Sequence, residues 1–134
     1  MSLYRMYAEK DELKLKADEL FAKLEKFSES LGVEKYKKVL IEARTIENYS
    51  DLHFWHEEHM QVSLGYENIS QHISDHMSIS GALKNFITVL QIQGLTSENI
   101  DYFNKKVKAL YLEHYNRHDK EFFVNISNHS DLLK

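Results

Sequence analysis

Apolar residues recur at helical spacing along nearly the whole chain. Leu13, Leu20, Leu24, Phe27 and Leu31 are separated by 7, 4, 3 and 4 residues, the stripe of an amphipathic helix. This predicts a first helix over about 7–31, with Gly32 as its C-cap. A second helix is expected over about 33–65, with Tyr36, Val39, Leu40, Ala43, Ile46 and Leu52 in the core and a break or kink at "NYSD", 48–51. A third spans about 67–90 and carries Ile69, Ile73, Ala82, Leu83, Phe86 and Leu90. After the turn "QIQGLTSEN", Thr96 or Ser97 caps a fourth helix that carries Phe103, Val107, Leu110 and Tyr111 and ends near residue 123. Short loops between long helices predict an all-α, antiparallel up-down four-helix bundle. One domain of 134 residues is expected, with a short tail at about 124–134.

Composition sharpens this reading. There is no proline and there are four glycines, too little punctuation for an all-β fold. The net charge of −4, with Lys and Arg interspersed among Asp and Glu, gives no basic stripe for nucleic acid. No apolar run approaches the roughly 18 residues of a membrane span, and no signal-peptide core opens the chain, so a cytoplasmic protein, or a domain cut from one, is expected. The absence of cysteine excludes disulfides, Fe–S clusters and thiolate zinc sites. Any metal must be held by His, Asp, Glu or Tyr.

Five of the eight histidines fall within "HFWHEEHMQVSLGYENISQHISDH", 53–76. Taken singly, each is more commonly a surface or satisfied core residue than a ligand. Spacing separates them. His53 and Glu57 are i, i+4 and share a face with Met60 and Tyr49. His72 and His76 are also i, i+4, in a stripe that continues to Ile69 and Leu83. Two imidazoles in an apolar stripe need partners, since an unpaired buried polar group costs about 1–3 kcal/mol. His114 follows Leu110 and Tyr111 in the fourth stripe. In a regular helix the spacing pairs it with His118; Asp119 joins it only by side-chain reach or a π-type widening. His56, His59 and His129 are expected to face solvent or a helix flank.

The combination resembles the hemerythrin-like (HHE-type metal-binding) family. "YSDLHFWHEEHM" and "GYENISQHISDH" resemble its tyrosine, then H-F-x-x-E-E-x-x-M, a GY turn, and H-x-x-x-H. "YLEHYNRHDKEF" is similar to its last-helix aromatic–Leu–x–x–His–x–x–x–x–Asp. The resemblance covers about residues 13–123. It implies two iron ions in a non-haem, oxo- or hydroxo-bridged di-iron centre. His72, His76 and His114 would ligate one iron and His53 the other, with Glu57 and Asp119 bridging. Imidazole and carboxylate together suit iron. The implied partner is dioxygen, or a similar small diatomic or peroxide ligand, bound for storage, delivery or sensing; neither nucleic acid nor a membrane is expected. The oligomeric state is left open.

One family residue is missing. In a context like H-x-x-L-F on the first helix, this chain has "ADELF", with Ala17 in the histidine position, and no histidine precedes His53. Water could fill the vacancy; Asp18 and Glu19 point about 100° and 200° away from it; His56 lies one turn from His53. An open di-iron or mononuclear iron site reacting with peroxide or nitric oxide is one alternative. A metal-free structural bundle is another.

Overall fold

The computed structural model describes the backbone of residues 3–119 and 122, and the side chains of 11–117 and 122. Among the described residues the chain is helical, without strands: α1 (Leu3–Ser30), α2 (Tyr36–Leu64), α3 (Ile69–Gln93), and a fourth helical run. That run begins as α4 (Ser97–Tyr102), widens to a π-turn at Phe103–Val107, resumes as α5 (Lys108–His114), and widens again at Tyr115–Asp119. None of the described helices is long and apolar enough to cross a membrane.

The α1 stripe is more complete than the large residues suggest. Ala17 is buried between Leu13 and Leu20, so positions 13, 17, 20, 24, 27 and 31 alternate by four and three, a heptad seam. Leu20, Leu24, Phe27 and Leu31 share a core with Val39, Ala43 and Ile46 of α2, Leu83, Phe86 and Leu90 of α3, and Phe103, Val107 and Tyr111 of the fourth run, while Leu13 packs with Met60, Tyr66 and Phe122.

Three expectations at element ends and faces need correction. First, α1 stops at Ser30 without a left-handed glycine. The Val33 and Glu34 amides return to the Ser30 carbonyl at 3.1 and 2.9 Å, and the glycines with positive φ are Gly65 and Gly94, not Gly32. Second, α2 starts at Tyr36, leaving Val33 exposed, and runs through 48–51 without a break. Ser50 is held there by a 2.5 Å hydrogen bond between its hydroxyl and that of Tyr111. Third, Leu52 is 57% exposed. Six residues beyond Ile46 turn the helix about 240° past a full turn, whereas seven bring it back into line. His53, not Leu52, continues the buried stripe.

The "GY" turn closes α2 with a Schellman cap. Gly65 takes φ 65° and ψ 38°, its amide donates to Val62, and the Tyr66 amide donates to Gln61 at 3.0 Å. Tyr66 then packs with Leu13, Met60 and Phe122, the apolar contact that accompanies this motif. Thr96 caps α4, its hydroxyl accepting from the Asn99 amide at 3.1 Å.

Candidate metal centre

Glu57 is fully buried and lies at the middle of a ring of imidazoles. It comes from α2, His72 and His76 from one face of α3, and His114 from the last turn of α5. One carboxylate oxygen, Oε1, lies 2.5 Å from His72 Nε2, 3.2 Å from His76 Nε2 and 3.9 Å from His114 Nε2. One donor atom from each of these four residues falls within 4.8 Å of all the others. Two ligands each about 2.1 Å from a common ion are ~3 Å apart at right angles and ~4.2 Å apart when opposed, so the group is close to coordination dimensions.

The second oxygen, Oε2, faces His53, whose Nε2 is 3.4 Å away. Oε2 and both ring nitrogens of His53 lack a hydrogen-bond partner although buried. Leaving such atoms unsatisfied is costly, and a cation between them would remove the cost. The residues present therefore fit a metal ion on the Oε1 side of the carboxylate, with His53 standing unsatisfied on the other.

The imidazoles are aimed by groups on their far side. His76 Nδ1 lies 3.6 Å from Glu58, His114 Nδ1 lies 3.7 Å from Asp75, and His72 Nδ1 is 2.5 Å from the Gln61 amide nitrogen. Each ring thus turns Nε2 inward and offers Nδ1 to an orienting group, the usual arrangement behind metal-binding histidines. Phe54 stacks on His76 at 3.9 Å and 9°, and Phe122 and Tyr66 stand edge-on to His72, which walls the group with apolar surface.

Burial by itself would raise the Glu57 pKa. The imidazoles of His114, His53, His72 and His76 gathered around it outweigh this and hold the carboxyl well below its ordinary range. His76 moves down from its usual value, chiefly through burial, with the Glu57 charge opposing. A carboxylate kept ionised among buried imidazoles is a negative charge poised for a cation.

Glu57, His72, His76 and His114 are brought together, and His53 stands beside them. The Asp119 side chain lies outside the described residues, as do those of His118 and His129. The backbone after His114 is π-helical through Asp119, and the widened turn brings position 119 nearer to the His114 side than a regular helix would. His56 and His59 are exposed, as expected from their spacing, and flank the exposed Trp55, His59 stacking on it at 5.3 Å. Asp18 and Glu19 accept hydrogen bonds from Tyr115 and Tyr49 at 3.1 and 2.6 Å.

Gln61 was not among the expected site residues. The family pattern puts methionine four residues after its first glutamate; here that place holds Gln61, and Met60 comes one residue early. Glu57 and Gln61 are i, i+4, the same spacing that singled out the histidines, so the signal was present.

A cavity of about 310 Å³ opens on the His53 side, between α1 and α2. Buried Leu13, His53 and Met60 floor it, and exposed Glu12, Leu52 and His56 stand at its mouth. No family model matches this chain, and no curated protein or solved structure matches it either.

Proposed function

We propose that this chain is a hemerythrin-like, non-haem di-iron protein, an up-down antiparallel four-helix bundle whose core centre binds dioxygen. The observation that carries the reading is the Glu57 carboxylate, with three Nε2 atoms gathered at one oxygen and an unpartnered His53 at the other. Side-chain pairings support the bundle. Glu25 meets Lys108 and Asp18 meets Tyr115, while Asp51 meets Lys84 and Gln61 meets His72; in both sets one number falls as the other rises.

In this reading His72, His76 and His114 would hold one iron and His53 the other, with Glu57 and Asp119 as carboxylate ligands available to both. When bound, the iron pair supplies an open coordination position for dioxygen and the electrons that reduce it. The protein's part is to hold the imidazoles with Nε2 inward, keep Glu57 ionised, and exclude water with Phe54, Tyr66 and Phe122. Water exclusion is uneven, because the His53 side opens onto the cavity. That asymmetry favours a second reading for the same centre, reaction with peroxide or nitric oxide at the more open iron.

Iron analysis after anaerobic reconstitution, followed by optical spectra under dioxygen, tests the proposal. About two irons per chain and a charge-transfer band that bleaches on deoxygenation are expected. Irreversible oxidation with peroxide consumption selects the second reading, and less than about half an iron per chain returns the molecule to a structural bundle.

A further inference from the structure

We propose that Gln61 is a tautomer switch for His72, its side-chain amide having one orientation for the metal-free centre and the opposite one for the loaded centre. This rests on the metal-binding reading above and assigns a positioning role to a residue outside the ligand set.

Gln61 is fully buried and its amide nitrogen lies 2.5 Å from His72 Nδ1. An amide nitrogen only donates, so in this orientation Nδ1 is the acceptor and carries no proton. The His72 proton then sits on Nε2, where it donates to Glu57 Oε1 at 2.5 Å. That arrangement suits a centre without metal. It leaves the Gln61 carbonyl oxygen buried with no hydrogen-bond partner, a cost of about 1–3 kcal/mol.

Metal binding needs the other arrangement. The Nε2 lone pair must be free, so the proton has to sit on Nδ1. An Nδ1–H facing an amide N–H would clash donor against donor. Turning the Gln61 amide by 180° about its last torsion puts Oε1 on Nδ1–H and resolves the conflict. The proton leaves Nε2 and one is taken up at Nδ1, so His72 is neutral before and after. Glutamine can serve both states because its amide carries a donor and an acceptor at nearly interchangeable positions. Methionine at this place could serve neither, and a carboxylate only the loaded one.

Nitrogen-detected NMR of the whole chain near pH 8 reads the tautomer directly, with Zn²⁺ as a diamagnetic probe. In the metal-free protein, His72 is expected to carry its proton on Nε2, and on adding Zn²⁺ to carry it on Nδ1. Gln61→Glu should place the proton on Nδ1 before metal is added and tighten Zn²⁺ binding about tenfold. Gln61→Met, which buries no charge, should keep the helical circular dichroism while weakening Zn²⁺ binding about 10- to 100-fold. Proton on Nδ1 in the metal-free wild type, an imidazolium there, or unchanged Zn²⁺ affinity in Gln61→Met overturns the switch while leaving the metal centre standing. A chain that binds neither Zn²⁺ nor iron overturns both.

Discussion

Glu57 is a carboxylate removed from water and surrounded by four imidazoles, and residue-scale behaviour follows from that. Because burial and crowding hold His76 below its ordinary value of 6.5, the unfolded chain takes up that proton first as pH falls. Folding stability in the metal-free protein is therefore full above about pH 6.5 and declines below it. Glu57, held low, adds loss of the same sign only once pH drops below the ordinary carboxylate range. Thermal melting between about pH 8 and pH 5.5 checks this, and a flat profile would contradict it. Ala17→His tests whether α1 lacks the ligand that the proposed family reading expects there. Ala17 is 2% exposed, so the larger side chain should cost the metal-free protein about 1–3 kcal/mol of overpacking yet raise affinity for the second metal ion. Unchanged iron content and oxygen kinetics would sink the idea that Ala17 marks a missing ligand. The buried group around Glu57 was partly legible because i, i+4 spacing put His53 with Glu57, and His72 with His76, in apolar stripes. The Ser50–Tyr111 pair was not, since one hydroxyl on each of two helices makes no periodic signal.

Helix ends repeat the lesson one scale up. Stripe periodicity marked all four helices, but glycine was read as a cap in the wrong place. Gly32 and Gly65 both follow helices, and both have open space where a Cβ would go. Of the two, Gly65 has a positive φ, and it is followed by Tyr66, which packs against Leu13, distant in sequence. Gly65→Ala should destabilise by about 1 kcal/mol, and Gly32→Ala should stabilise by about 0.4–1 kcal/mol through the unfolded state. Denaturant melts of the two variants should move in opposite directions. The π-turns were invisible for another reason: nothing in the residue types of Phe103–Val107 differs from an ordinary helix. Spacing tied Asp119 to His114 only through side-chain reach or such a widening, and the resemblance alone singled Asp119 out over His118.

For the molecule as a whole, the cavity beside His53 makes the two ends of the Glu57 carboxylate unequal. One oxygen faces a closed histidine group and the other lies next to a route to solvent. Leu52, expected inside and found at the mouth, is the residue through which to test this. Leu52→Trp should leave stability within about 0.5 kcal/mol, because the position is exposed, while slowing the reaction of the loaded centre with added azide or peroxide. Stopped-flow rates unchanged by the substitution would mean that ligands arrive by another path. The widened turns also give the fourth helical run a tolerance that ordinary helices lack. Losing one residue from a regular helix rotates everything beyond it by about 100°. A π-turn already holds one residue more than a regular turn needs, so deleting exposed Lys105 should straighten Phe103–Val107 into regular helix and leave Tyr111 and His114 facing inward. Metal affinity and circular dichroism that survive this deletion, but not a deletion at Lys84 in the regular α3, would mark the widened turns as the places where this chain can change length without losing its centre.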